Sequence, residues 1–163
     1  MMETNSKIVK DLIELYNNLS SDPIPKFRGE TVVDSRLVIN KEWNDISDRR
    51  IDLIIVLDNP GKNEENENIY LSPSGPAGKN GRTFISQYFS IHKKKGQVLV
   101  LNKTPFWSNK SESLLETCDS TVEKSVKITF EAIKKLWILN NKMSILVLGL
   151  NKKAIMNEVF LNA

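Results

Sequence analysis

Cysteine and histidine are almost absent from this sequence, which has one of each in 163 residues, Cys118 and His92. One cysteine cannot form an internal disulfide bond, and it cannot supply the four thiolates of an iron–sulfur cluster. With only one histidine beside it, the chain also lacks the ligands of a structural zinc site built from cysteine and histidine. The sequence therefore predicts no metal centre with sulfur or imidazole ligands.

Long apolar runs are absent as well. No run approaches the roughly 18 to 20 residues that cross a bilayer, and residues 1–7 contain no apolar core of the kind that a secretory signal requires. Hydrophobic residues make up 40% of the chain and charged residues 26%, which are proportions of a folded globular protein. We therefore expect a single domain over residues 1–163, resident in the cytoplasm and without a membrane partner.

The sequence does contain a regular alternation of extended and helical patterns. Short aliphatic runs rich in β-branched residues predict buried strands at 51–57, 97–101 and 144–149. Apolar residues at helical spacing predict helices at 6–19, 80–90, 121–140 and 151–161. The run Arg36–Ile39 predicts a strand or a hairpin arm, and the polar run Asn63–Asn68 predicts a loop. Strands that alternate with helices imply a parallel sheet covered on both faces, so the expected fold class is α/β.

Polar side chains follow two of these strands at the point where each strand ends. Asp58 and Asn59 come directly after the first strand, and Asn102 follows the second. Because parallel α/β sheets bind ligands at the carboxyl ends of their strands, we expect these side chains to share one crevice. An ordinary turn is the alternative for residues 58–61, since all four residue types favour turns. Trp107 fits a stacking platform and core packing equally well.

The glycine-rich segment 75–83 has some features of a loop that binds nucleoside triphosphates. Such a loop requires glycine where Pro73 stands and serine or threonine where Asn80 stands, so the motif does not match. A glycine-rich turn before a helix can still meet a DNA phosphate through backbone N–H groups. The candidate phosphate ligands are Gly78, Lys79, Arg82 and Lys103, and a plain flexible turn is the alternative.

Together these segments resemble the uracil-DNA glycosylase superfamily. The resemblance rests on Ile54–Gly61, Gly75–Phe84, Val98–Pro105 and Ile145–Gly149, in that order and spacing. It implies a three-layer αβα fold around a short parallel sheet, no cofactor, DNA as the partner, and hydrolysis of the N-glycosidic bond of uracil or another damaged base.

The resemblance also implies roles for individual residues. Asn59-Pro60-Gly61 matches the Asn-Pro-Gly motif of the mismatch-specific and single-strand-selective branches, in which the asparagine positions the attacking water. Asp58 matches an acidic residue of the iron–sulfur branch, whose cysteine ligands have no counterpart here. Asn102 matches the strand-end asparagine that reads the base, and Pro60 and Gly61 are expected to help bind it.

The chemistry of these side chains fits those roles. A carboxamide at Asn102 can accept a hydrogen bond from N3–H of uracil while it donates to O4, and cytosine reverses both features. Asn59 can orient a water molecule, and Asp58 can accept its proton. Since successive side chains of a strand point to opposite faces, we expect only one of Asp58 and Asn59 to face the pocket.

Two features of the family's pattern have no counterpart in this sequence. The family has glycine where Leu57 stands, and it has a last strand followed by a histidine-containing loop, for which residues up to Ala163 offer no match. Losing a preorganised donor of that kind costs on the order of a hundredfold to a thousandfold in rate. The sequence thus predicts a glycosylase-like DNA repair protein, with a non-catalytic nucleic-acid or nucleobase binding module on the same fold as the alternative.

Overall fold

The structure is a computed structural model that describes residues 3–19, 26–27, 30–31, 36–107, 120–141 and 143–148. Its elements in chain order are helix α1 Asn5–Leu19, strands β1 Lys26–Phe27, β2 Glu30–Thr31 and β3 Arg36–Leu37, a 3₁₀ helix Lys41–Asp45, strand β4 Ile51–Leu57, helices α2 Lys62–Glu67 and α3 Pro76–Ile91, strands β5 Gln97–Asn102 and β6 Phe106–Trp107, helix α4 Ser120–Leu139, and strand β7 Ser144–Val147. The chain is therefore a mixed α/β protein, and this coarse fold class is the one that its sequence pattern predicts.

A small parallel sheet of three described strands lies at the centre, in the order β5-β4-β7. β4 is the middle strand, and residues 51–56 are all buried. Its continuous aliphatic pattern follows from this position, since a strand covered on both faces has no solvent-facing residues. In β7 the side chain of Ile145 is 38% exposed, so this strand is less covered than β4.

The strand order determines where a ligand site is expected. The chain leaves β4 through α3 to reach β5 on one side, and then passes through α4 to reach β7 on the other side of β4. Right-handed crossovers of this order put α3 and α4 on opposite faces, which is consistent with an αβα arrangement. Because the order reverses at β4, the carboxyl ends of β4 and β7 form the topological switch point, where sheets of this class bind ligands.

Helices α1 and α4 pack against each other through the apolar stripes that their sequences predict. The buried apolar residues are Ile8, Val9, Leu12, Tyr16 and Leu19 on α1, and Val122, Val126, Ala132, Ile133 and Leu136 on α4. Burial of one large aliphatic side chain of this kind stabilises a fold by about 1.5 to 3 kcal/mol. A buried amide pair adds polar ties, because Asn140 Oδ1 accepts from Asn5 Nδ2 at 3.1 Å and from the Ile51 N–H at 2.8 Å.

Most of the predicted elements are confirmed, and two local expectations were wrong. The polar run at 63–68 forms most of helix α2 instead of a loop, and α3 begins at Pro76 instead of near Asn80. The strand predicted at Arg36–Ile39 is present as β3, but it pairs antiparallel with β6 and is not part of a local hairpin. The predicted helix 151–161, Cys118 and Gly149 lie outside the described residues. In the described part of the chain, no helix is both long enough and apolar enough to cross a membrane.

Candidate functional site at the strand ends

A cleft of about 490 Å³ opens at the switch point. This volume lies within the range of about 300 to 1,000 Å³ that is typical of small-molecule sites. The cleft is lined by Leu57 at the end of β4, Asp58 and Asn59 after it, Gly61–Glu64 in and before α2, Leu71 and Ser72 in the next loop, Gly75–Gly78 at the start of α3, and Leu148 after β7. A groove of about 550 Å³ between α1 and α4 is larger, but it is lined by side chains of those two helices and no strand end reaches it.

Asp58 and Asn59 both line the cleft, whereas strict strand alternation would have placed only one of them on that side. The strand-like alternation of side chains stops because β4 ends at Leu57 and the chain bends immediately afterwards. Among the described residues, Asn59 Nδ2 makes one long local hydrogen bond, to the Pro60 carbonyl at 3.3 Å. Gly61 then caps the amino terminus of α2, with extended backbone. This turn brings a carboxylate and a carboxamide to the same opening.

The Asp58 carboxylate is held by an internal ion pair. Lys103 Nζ donates to Asp58 Oδ1 in a short hydrogen bond and to the Leu148 carbonyl at 3.2 Å. The Lys103 side chain is 0% exposed, whereas that of Asp58 is 31% exposed. One ammonium therefore joins the carboxyl ends of β5, β4 and β7. A DNA phosphate outside the molecule does not reach a cation in this position, so Lys103 does not fit its expected role as a phosphate ligand.

Asn102 is the most unusual polar group near the site. It is the last residue of β5, opposite Leu57 in the register, and it is 1% exposed. Within the described residues, neither its side-chain nitrogen nor its side-chain oxygen makes a hydrogen bond. Each unsatisfied buried group of this kind costs about 1 to 3 kcal/mol. Asn102 does not line the cleft itself, but its register partner Leu57 does.

The Asn102 side chain lies near Tyr70, whose hydroxyl donates a hydrogen bond elsewhere. Burial raises the pKa of Tyr70 well above its usual range, and the nearby Asn102 side chain opposes this rise. The Tyr70 hydroxyl donates to the Val38 carbonyl at 2.6 Å, so its proton is already used. The Tyr70 oxygen can still accept, and it lies near the Asn102 amide but outside hydrogen-bonding geometry, so this amide has no hydrogen bond among the described residues.

The glycine-rich segment begins α3 for a packing reason. A Cβ atom at Gly78 would lie 1.8 Å from the Ser72 carbonyl oxygen, so only glycine allows the helix to approach that backbone. Arg82 is also engaged, because its Nε donates to the Leu71 carbonyl at 2.8 Å and its guanidinium pairs with Glu42 at 2.9 Å. Of the expected phosphate ligands, Lys79 on the first turn of α3 has an exposed position.

Lys62 and Glu64 line the cleft, although the sequence pattern did not indicate either of them as a site residue. Lys62 lines the cleft and its ammonium lies 4.6 Å from the centre of the Trp107 ring, while Trp107 itself is buried in the core. Glu64 also lines the cleft, and it accepts hydrogen bonds from the N–H groups of Gly61 at 2.7 Å and Leu71 at 2.5 Å. Burial raises the pKa of Glu64, although these two hydrogen bonds oppose the rise. A glutamate three residues after a helix cap can accept from the N–H of the cap residue, as in one half of a capping box, and this spacing was the available sequence signal.

Comparisons with protein-family models, curated proteins and solved structures found no match to this chain. Its function must therefore be inferred from the chemistry of the cleft. Among the described residues, no group of three or more histidine, cysteine, aspartate or glutamate side chains is arranged to hold a metal ion. The polar side chains that can act on a ligand in the cleft include those of Asp58, Asn59 and Glu64, and Asn102 is buried beside the cleft.

Proposed function

We propose that the cleft receives a nucleobase turned out of DNA, and that the chain is a uracil-DNA glycosylase-like DNA repair protein with that family's αβα fold. The observation that carries this proposal is the buried carboxamide of Asn102, which has donors and an acceptor without partners at the end of a strand beside the cleft. Folded proteins rarely retain such groups without a reason, and a ligand that pairs with them is one such reason.

Base recognition follows from the two ends of that carboxamide. The oxygen accepts from N3–H of uracil and the nitrogen donates to O4, whereas cytosine offers the opposite pattern and leaves the groups mismatched. Turning a base out of a duplex costs a few kcal/mol, and the cost is smallest for mismatched or single-stranded sites. Because Asn102 is 1% exposed, the base reaches it only when the side chains that cover it move aside.

Hydrolysis then requires water on the sugar side of the base. Asn59 orients the water, whose oxygen forms a bond to C1′ of the deoxyribose while the N-glycosidic bond breaks. The electron pair of the broken bond leaves with the base, and the proton released by the water passes to the Asp58 carboxylate. The exposed ammonium groups of Lys62 and Lys79 provide positive charge for the flanking phosphates.

A second function is favoured by one contact. Lys103 already holds an Asp58 oxygen, so this carboxylate is committed to an internal ion pair. A protein with this arrangement that binds a base without cutting the glycosidic bond is a nucleobase or nucleic-acid binding module. The two candidates share the cleft and Asn102, and they differ in whether an abasic site forms.

The test uses single-stranded and mismatched duplex DNA that contain one uracil, with cytosine in the same position as the control. Binding is followed by fluorescence anisotropy, and abasic sites are detected by strand cleavage in alkali. We expect Asn59→Ala to lower the rate of abasic-site formation by about a hundredfold or more, because general acid–base and water-positioning groups contribute on that scale. Asn66→Ala, at an exposed position in α2, is the matched control and should retain the activity.

The possible results distinguish the hydrolase from the binding module. Abasic sites that depend on Asn59 support the hydrolase. Binding of uracil-containing DNA without abasic sites, in the wild type and in Asn59→Ala alike, supports the binding module and ends the catalytic proposal. If neither DNA nor free uracil binds, both functions are wrong.

A further inference from the structure

Helix α2 is tied to the loop before α3 by acidic side chains. Glu67 accepts hydrogen bonds from the hydroxyl groups of Ser72, at 2.7 Å, and Ser74. Glu64, one turn earlier, accepts from the Leu71 N–H at 2.5 Å. The sequence 62–67 has no apolar residue with which to pack a helix, so polar contacts such as these hold α2 against the rest of the molecule.

Glu64 differs from Glu67 because its carboxylate bonds to both walls of the cleft. One oxygen accepts from the Gly61 N–H, at the end of the turn that carries Asp58 and Asn59. The other accepts from the Leu71 N–H, beside the Ser72 carbonyl against which α3 packs. Glu64 therefore bridges the two walls directly, and it lines the cleft itself.

We propose that Glu64 is a positioning residue of the cleft, which fixes the Asp58–Gly61 turn against the Leu71–Ser72 segment so that the opening keeps the width needed by its ligand. That the ligand is a nucleobase rests on the function proposed above. The clamp itself rests on the two hydrogen bonds of Glu64.

The chemistry of the two partners explains why a carboxylate is needed. Both are backbone N–H donors, and a carboxylate offers an acceptor oxygen to each of them. Glutamine has the same shape but a single acceptor, so its NH₂ group would face one of the two N–H groups. Hydrogen bonds to a charged acceptor are also about twice as strong as those between neutral groups. Glu64→Gln is therefore expected to release one wall without removing side-chain volume.

The matched control lies one residue along the same helix. Glu65 pairs with Arg36 at 2.7 Å and with Lys62 at 3.1 Å, and neither contact reaches the Leu71 segment. Glu65→Gln removes the same charge from α2 and leaves the clamp in place. A second control, Tyr16→Phe, removes the hydrogen bond to Thr129 between α1 and α4 and so weakens the fold away from the cleft.

The experiment measures amide hydrogen exchange by NMR in the full chain, together with urea unfolding and binding of single-stranded DNA that contains one uracil. In Glu64→Gln, exchange at Leu71 or Gly61 should accelerate by about tenfold to a hundredfold more than global unfolding explains, which is the scale of a lost charged hydrogen bond. Glu65→Gln and Tyr16→Phe should show no such local excess. Binding should weaken by about tenfold in Glu64→Gln and by less in Tyr16→Phe at equal loss of stability.

The outcomes separate this inference from the proposed function. Unchanged exchange at both amides in Glu64→Gln, or an equal excess in Glu65→Gln, would show that Glu64 does not clamp the walls. An equal loss of binding in Glu64→Gln and Tyr16→Phe would show a general stability effect. If the wild type does not bind the DNA, the proposed function fails, and the local exchange still decides whether Glu64 clamps the cleft. Should Glu64→Gln fail to fold, Glu64→Asp, which keeps the charge on a shorter side chain, carries the exchange test.

Discussion

The ion pair between Lys103 and Asp58 makes a quantitative prediction, because its two partners differ in exposure. Lys103 is wholly buried and Asp58 is 31% exposed, so removing one or the other leaves very different remnants. Asp58→Ala leaves a buried ammonium that still donates to the Leu148 carbonyl but has lost its carboxylate. Breaking a buried pair in this way typically costs about 3 to 5 kcal/mol. Lys103→Met keeps most of the packing and leaves a carboxylate that water can reach, for which we expect roughly 1 to 2 kcal/mol.

The assay is thermal and urea unfolding of both single variants and of the double variant. A change of 1 kcal/mol shifts the melting temperature by about 2 to 4 °C in a domain of this size, so Asp58→Ala should melt about 6 to 20 °C below the wild type. The double variant should be more stable than Asp58→Ala, since it removes the buried ammonium that has lost its carboxylate. A loss in Lys103→Met as large as that in Asp58→Ala, or strictly additive losses in the double variant, would refute the burial argument.

Two further predictions concern stability. Gly78→Ala should destabilise the protein by about 1 to 3 kcal/mol in urea unfolding, as overpacking does, because the new Cβ would lie 1.8 Å from the Ser72 carbonyl oxygen. Gly61→Ala is the control and should cost less, because the atom nearest to its new Cβ is 3.7 Å away. Equal losses would contradict the packing reason for Gly78. The folded-state pKa of Glu64 is raised above its ordinary value of 4.5, so the stability linked to this group is present below that value and is lost as the pH rises through the raised pKa. The stability difference between the wild type and Glu64→Gln should therefore shift in favour of Glu64→Gln as the pH rises above about 4.5, and a shift toward the wild type would contradict the assignment.

The core of the fold is readable from the sequence because its signals are local. Each aliphatic run of β4 and β5, and each apolar stripe of α1 and α4, reflects which faces of that element are buried. The structure has these four elements within a few residues of their predicted bounds. Helix α2 has no apolar pattern that would predict it. Its residues are all polar, and bonds from Glu64 and Glu67 to a loop several residues away hold it in place.

The site is only partly readable, for a related reason. The sequence predicts that Asp58 and Asn59 follow a strand end, but the bend after Leu57 decides that both line the cleft. A lysine is usually exposed, and the burial of Lys103 depends on a partner 45 positions away in the chain. The glycine at position 78 likewise reflects a close approach to Ser72 that no local pattern encodes.

The most direct test of a base-binding role for the cleft combines binding and stability in one variant, Asn102→Leu. This change removes a buried amide whose nitrogen and oxygen lack hydrogen bonds among the described residues, and each such group costs about 1 to 3 kcal/mol. We predict that Asn102→Leu melts at the same temperature as the wild type or higher, and that it loses the preference for uracil over cytosine in single-stranded DNA. A variant that is destabilised and still prefers uracil would show that Asn102 serves the fold and does not read a base.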